Sequence, residues 1–505
     1  MEKIMKKAGL FILMTCLSWS CTENLMLEPV SEISNANFWK TEDDATAGLY
    51  GMYVRLRVPA SSSFFCWGEG RSDIMGPSYL GAVADFNLYY DNALNATNSA
   101  VTYNGGNTTW QNLYSIIHHA NLILRNVPDI TFRSDATKND ILAQAYTMRA
   151  YIYFLMVKTW GDIPLVVDPI ESVDPLTTQK VRTPVSEIFA FIKEDLDRAL
   201  ELYPTANLTE DRNTWSKPAA NVLKADVFLW TAKRLNGGEI DLNVALTALN
   251  DAEQSDVVLL DNFADIFEYT NKGNKEIIMA VNFSELEVTL GTQRRESRFM
   301  YIHPAIPPNI SPWAKAKIGA PSPNGGYWTP RPEICDQFSS EDQRKDASFF
   351  QIFTQNEGDD STFYATLAYK FRGTVVGGSR VFLDDVVLYR YADILLLRAE
   401  VKNALGLDPS EDINAIRQRA YGPYYADHVF VPGSREQNDE VILQERLFEF
   451  LLEGKRWWDL IRFEKVFDMV PSLKDRVGQN HLLLFPIPEV TLALEPLVTQ
   501  NSGYN

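Results

Sequence analysis

The residues best equipped for chemistry lie together near the C-terminus. Glu445, Glu449 and Glu453 recur on one helical line, and Arg456, Asp459 and Arg462 follow closely. Glycoside hydrolysis uses two carboxyl groups about 5–9.5 Å apart, one of them carrying a proton. Glu445 and Glu449 at i,i+4 can meet that spacing, but the neighbouring arginines favour the charged form of both acids. Stacked like charges also repel by about 0.2–0.5 kcal/mol per pair. The pattern therefore predicts that Glu445, Glu449, Arg456, Asp459 and Arg462 form a structural ion-pair and hydrogen-bond network with Arg390, Arg398, Arg417 or Arg419.

The elements that must position these residues are helices. Leu443, Leu447 and Leu451 form one apolar line, with Phe448 and Leu452 beside it. Gly454 suits a left-handed cap and a change of direction, after which Arg456, Trp457, Trp458, Asp459 and Arg462 read as a second helix. Upstream, Thr41 to Asp44 resembles a capping box, with Pro59 as the stop. Apolar periodicity predicts helices over 108–127, 135–160, 185–202, 216–235, 242–254, 386–404 and 411–420. Thr183-Pro184 reads as the start of the third of these, and Asp408 to Glu411 as a capping box for the last. Residues 276–283 alternate as a strand. Gly358-Asp359-Asp360 and Gly377-Gly378 read as turns, the first without the oxygen spacing of a calcium loop. The expected fold is mainly α: a tetratricopeptide-like scaffold of helical hairpins with minor β and long irregular loops.

Composition narrows the function. The chain has 505 residues, 46% of them hydrophobic, and a formal net charge of −19. So acidic a surface repels phosphate backbones and argues against nucleic acid. The 5 histidines are scattered and offer little for a metal site, and no cofactor is implied. Lys3, Lys6 and Lys7 precede the apolar run Leu10 to Leu17, so residues 1–20 read as a signal peptide. Ser20 before Cys21 resembles a lipoprotein cleavage site, with Cys21 as the lipidated residue; Cys16 is a weaker candidate. An ordinary secretory signal is the alternative. Cys66 and Cys335 read as isolated buried thiols.

Two irregular stretches, 61–107 and 304–332, are rich in aromatic residues. Sugar rings stack their C–H faces on Trp and Tyr, while their hydroxyls need Asn, Asp, Arg or backbone partners. The first stretch offers Trp67, Arg71, Asp73, Tyr79, Tyr89, Tyr90, Asn95, Tyr103 and Asn104. The second offers Trp313, Tyr327 and Trp328. The competing role for any such ring is to pin its loop to the core.

Motifs in a fixed order carry a resemblance. They are Asn37-Phe38-Trp39, Trp110…Tyr114…Asn121, Arg149-Ala150-Tyr151, Trp160 to Leu165, Tyr389 to Glu400, Glu445-Arg446…Glu453-Gly454-Lys455-Arg456-Trp457-Trp458-Asp459, Phe485-Pro486-Ile487-Pro488 and Gln500 to Tyr504. Together they resemble the SusD/RagB-like outer-membrane nutrient-binding lipoproteins over nearly the whole mature chain. The resemblance implies one SusD-like binding domain over 21–505, with an N-terminal helical half (21–255) and a loop-rich and helical second half (256–505). It implies a lipid-anchored, surface-exposed protein of the outer membrane. Such a protein captures glycans without catalysis and passes them to a SusC-like TonB-dependent transporter. It also points to the loop Tyr89 to Asn107 for ligand contacts, and to a structural role for Trp328 beside Thr329 to Glu333. A peptide-binding member of the same fold, or a purely structural helical-repeat scaffold, are the alternatives.

Overall fold

Thr41 starts the first helix by mutual capping. Its Oγ1 accepts from the Asp44 N–H at 3.2 Å, and the Asp44 carboxylate accepts from the Thr41 N–H at 2.8 Å. The computed structural model describes residues 38–80, 86–98, 107–172, 174–285, 297, 300–322, 325–355 and 360–504. Cys21 and the residues read as a signal peptide lie outside this set, as do Gly358 and Asp359 of one expected turn. Helix α1 (Glu42–Ala60) runs through Pro59, where the sequence predicts a stop. Pro59 is buried in the last turn, so the one N–H bond it removes from the ladder lies at the helix end.

The helices then stack in chain order. After α2 (Ser63–Gly68), α3 (Asn107–Asn126) packs on α1, α4 (Asp135–Trp160) on α3, and α5 (Val185–Leu202) on α4. Helices α6 (Lys217–Arg234) and α7 (Gly238–Glu253) form the next hairpin, and α6 also meets α5. The short α8 (Pro312–Ile318) belongs to the central region. Helix α9 (Tyr391–Ala404) lies on α7 and is flanked by α10 (Ser410–Tyr421) and α11 (Arg435–Phe450). Helix α12 (Arg456–Arg462) follows the corner. This is the expected helical-hairpin scaffold. Its close packing follows from small residues: Ala219, Ala220 and Ala225 on α6 are fully buried.

Some boundaries differ from the sequence pattern. Residues 386–404 divide into strand β8 (Val386–Arg390) and α9, because β2 (Ile277–Val281) supplies an antiparallel edge to a run rich in Val and Tyr. The Asp393 carboxylate then accepts from the Arg390 N–H at 2.9 Å and opens α9. Helix α5 is capped not by Thr183 but by the Asp162 carboxylate, which accepts from the Val185 N–H at 2.8 Å. Helix α10 begins under Asp408, whose carboxylate accepts from the Ser410 N–H at 2.8 Å, with no capping box.

The two irregular stretches are joined. Strand β1 (Met75–Pro77), from the first, pairs antiparallel with β3 (Trp328–Pro330), from the second. Two further hairpins, β4 (Phe349–Gln355) with β5 (Ser361–Ala368) and β6 (Thr374–Val376) with β7 (Ser379–Val381), complete the β content described. Gly377 and Gly378, at φ +56° and +81°, make the expected turn of the second hairpin. The main core runs through the helical array, and a satellite core lies beneath the central region. Tyr301, Ile302, Ile310, Ala314, Ile318, Phe350, Ile352, Leu367 and Phe382 build that satellite. Cys66 and Cys335 are both buried.

Candidate functional site

The acidic helix line meets its cations in the interior. The Arg390 guanidinium donates to Glu276 at 2.7 Å, to Glu449 at 2.6 Å and to Glu453 at 2.9 and 3.0 Å. Arg344 bridges Asp342 and Glu445 at 2.7 Å each, and Arg417 reaches Glu445 at 2.8 Å. Arg419 closes on Glu449, and Lys370 donates to Glu453 at 3.0 Å. Arg462 grips Glu400 through two bonds of 2.9 and 2.8 Å and also reaches Asp459, which Arg446 approaches at 2.9 Å. The expected network is therefore present around Glu445 and Glu449, which meet Arg417, Arg390 and Arg419. Arg398 serves Glu253 and Asp412 instead, Arg456 pairs with Asp73, and Asp459 and Arg462 pair with Arg446, Glu400 and each other. Arg344 and Glu276 were not legible as members, because nothing local in the sequence marks them.

Glu449 and Glu453 are held in the charged form, which has no proton to donate. Burial alone would raise the Glu449 pKa, but Arg419, Arg390 and Arg344 hold it far below the ordinary range. Glu453 is likewise pulled down to about 2, where Arg390, Lys370 and Lys455 overcome burial. Glu449 has 0% exposure, which leaves a sugar no access.

The corner after α11 is held by the first irregular stretch. The helix ends at Phe450, earlier than its apolar line suggests, and Leu452 and Gly454 adopt φ of +70° and +76°. The buried Glu69 carboxylate accepts from the N–H groups of both Leu452 and Gly454. Asp73 pairs with Arg456 through bonds of 3.0 and 2.8 Å. This contradicts the assignment of Asp73 to ligand contact: its acceptors are committed to the corner.

Other aromatic candidates are also interior. Trp67 is fully buried, edge-on to Trp160 at 5.2 Å. The Arg71 guanidinium is sandwiched 4.3 Å from Trp457 and 4.7 Å from Phe485, and donates to Asn92 at 2.9 Å. Trp328 is fully buried among Phe65, Phe86 and Tyr89, and Tyr89 and Tyr90 are themselves buried. These five, Trp67, Arg71, Tyr89, Tyr90 and Trp328, pin the excursion to the core and present no face to a ligand. Buried and exposed loop aromatics look alike in a sequence. Asn95 is exposed, but its side-chain oxygen accepts from the Thr97 and Asn98 N–H groups at 3.0 and 2.9 Å, which makes it a turn former. Tyr103 and Asn104 lie outside the described residues.

Trp313, Tyr79 and Tyr327 retain surface. Trp313 is 60% exposed and stands edge-on to Phe350, 5.8 Å between ring centroids. Ser311 caps α8 by accepting from the Ala314 N–H at 3.0 Å, Pro312 opens its first turn, and Ala314 and Ile318 bury its inner face in the satellite core. Trp313 thus projects from a fixed helix and not from a free loop. Tyr79 sits on the same satellite core, 5.0 Å from Tyr364, with its oxygen accepting from the His303 N–H at 2.9 Å. Tyr327 is half-buried against Phe86 at 5.4 Å, and the adjacent Gly326 abuts the Tyr79 hydroxyl. Tyr364 joins this core without having been singled out by sequence; the aromatic content of the β4–β5 hairpin was the available signal. An exposed ring on a fixed helix, as at Trp313, is suited to stacking apolar ring faces.

Comparison with known proteins bears on the whole chain. Residues 377–504 match the model of the SusD family, and residues 72–229 match a family described as starch-binding, associating with outer membrane. A SusD-like protein of Formosa agariphila is 27% identical, with 96% of each chain covered. Among solved structures, B. fragilis NanU superposes with a TM-score of 0.84 at 30% identity, covering 95% of this chain and all of that one. A SusD superfamily protein from Bacteroides vulgatus superposes with a TM-score of 0.82 at 29% identity, over 92% of this chain.

Proposed function

Since the chain belongs to the SusD/RagB family, we propose that it is a glycan-binding lipoprotein of the outer-membrane surface. In this reading Cys21 carries the lipid anchor, and the folded domain captures oligosaccharides and hands them to a SusC-like TonB-dependent transporter. It performs no chemistry on them. The observation that carries the reading is the exposed Trp313 on the fixed helix α8, whose inner face lies in the satellite core on which Tyr79 and Tyr364 also pack. The family descriptions support a starch- or glycan-type ligand and an outer-membrane setting. A solved relative described as a laminarin binding SusD-like protein shares the fold at 21% identity. The locked state of Glu449 and Glu453 supports capture without hydrolysis.

The test is a glycan array probed with the folded chain and with Trp313→Ala. The reading expects binding to a restricted glycan class, lost in the variant, and co-purification of an outer-membrane barrel with the native protein. Selective binding of peptides, with no glycan retained, would overturn it.

A further inference from the structure

Two lysines, Lys315 and Lys317, share the Trp313 helix in a chain that is strongly acidic overall. Residues 300–322 and 361–383 supply much of the satellite core; they contain Lys315, Lys317, Lys370, Arg372 and Arg380 but no Asp or Glu. Several of these charges are engaged. Lys370 is buried against Glu453, Arg372 pairs with Glu268 at 2.7 Å, and Arg380 donates to the Ile318 and Ala320 carbonyls at 3.0 and 2.6 Å. Lys315 and Lys317 differ, since among the described residues neither has a carboxylate within ion-pair distance. Lys315 donates to the Pro308 carbonyl at 2.6 Å, and Lys317 makes one long bond of 3.4 Å to the Asp346 carbonyl.

Lys317 is placed against the exposed indole. Its Nζ lies 5.1 Å from the Trp313 ring centroid, 4.8 Å from Phe350 and 4.7 Å from Tyr369. Ring faces hold an ammonium in place but leave its hydrogen-bonding capacity largely unused. Burial lowers the Lys317 pKa, with Asp346 acting against that shift and Arg372 adding to it. An ammonium so held, one helical turn from a stacking platform, is complementary to a sugar that carries a negative charge.

We infer that this face selects an acidic glycan, in which a carboxylated pyranose stacks on Trp313 and its carboxylate takes the Lys317 ammonium. The inference rests on the glycan-binding reading above and adds the ligand's charge. A Lys–carboxylate bond is charge-assisted, so its loss weakens affinity by about tenfold or more.

The experiment is calorimetric titration of the chain with three sets of oligosaccharides of matched length: hexuronate-containing, neutral and sulfated. The hexuronate set is expected to bind best, with affinity falling as salt is raised. Lys317→Met keeps the aliphatic stem against the rings and removes the charge. It should cost about tenfold for hexuronates, change neutral ligands little and leave the melting temperature near the parent value. Equal or tighter binding of neutral sugars, or unchanged hexuronate affinity in Lys317→Met, would overturn the acidic selectivity while leaving glycan binding intact. Preference for the sulfated set would overturn the carboxylate assignment. Binding of none of the three would overturn the glycan reading itself.

Discussion

Asp73 and Arg456, 383 residues apart in sequence, meet in a two-pronged ion pair with bonds of 3.0 and 2.8 Å. The pair ties the first irregular stretch to the first turn of α12. Removing one partner leaves a buried charge uncompensated, at a cost of about 3–5 kcal/mol. Asp73→Ala is therefore expected to unfold at markedly lower denaturant concentration than the parent. If it melted normally and lost only ligand, Asp73 would belong to the binding face after all.

Gly68 and Gly454 make a second contact at the same corner. A Cβ on Gly68 would lie 1.7 Å from the Gly454 carbonyl oxygen and 2.9 Å from the Trp458 indole nitrogen. Neither backbone can yield without opening the corner, so Gly68→Ala should destabilise severely or fail to fold. Gly454→Ala meets only a 3.3 Å neighbour, and its strain comes from φ +76°. The expected cost there is about 1–2 kcal/mol. Expression and melting of the two variants, side by side, give the ranking; equal behaviour would contradict it.

Acid stability follows from the buried network. Glu400 and Glu453 sit at about 2, below their ordinary value near 4.5, and Glu449 lies lower still. Groups with depressed folded-state pKa stabilise above the unfolded value, and that stability is lost as pH falls toward the folded one. Stability measured by urea unfolding should drop steeply between about pH 4.5 and 2. Glu69 has the opposite sign: burial raises it to about 8 despite the two backbone donors. Its contribution is greatest below 4.5 and declines as pH rises to about 8. Glu69→Gln is expected to flatten that decline, and an unchanged slope would show that Glu69 stays ionised throughout.

Helical elements were legible in the sequence where a long apolar period carried them, as for Asp135–Trp160 and Val185–Leu202, although the Thr183 cap expected for the second was not formed. The 386–404 stretch misled because a short apolar run has no period of its own, and β2, more than a hundred residues upstream, decided that it begins as a strand. The ion-pair role of Glu449 was legible from stacked acids beside arginines, but Arg344 was not, since its contacts form only in the folded chain. Loop aromatics were the weakest signal. Trp67 and Trp313 are the same residue type, each within a stretch that reads as irregular, yet one is sealed against Trp160 and the other stands out from α8.

That contrast makes a paired prediction. Trp67→Ala removes a fully buried ring and should cost about 3–5 kcal/mol. Trp313→Ala removes an exposed one and should alter unfolding little. Urea denaturation of both variants distinguishes them; a large loss of stability in Trp313→Ala would mean that the ring serves the satellite core.

The central claim is that function resides on the Trp313 face while the acid–arginine corner only holds the fold. Glycan binding by Trp313→Ala, with its melting curve recorded on the same sample, tests it most directly. The account predicts a parent-like melt with binding abolished or weakened at least tenfold, the loss of about 1.4 kcal/mol or more. Parent-like affinity in a folded Trp313→Ala would contradict it.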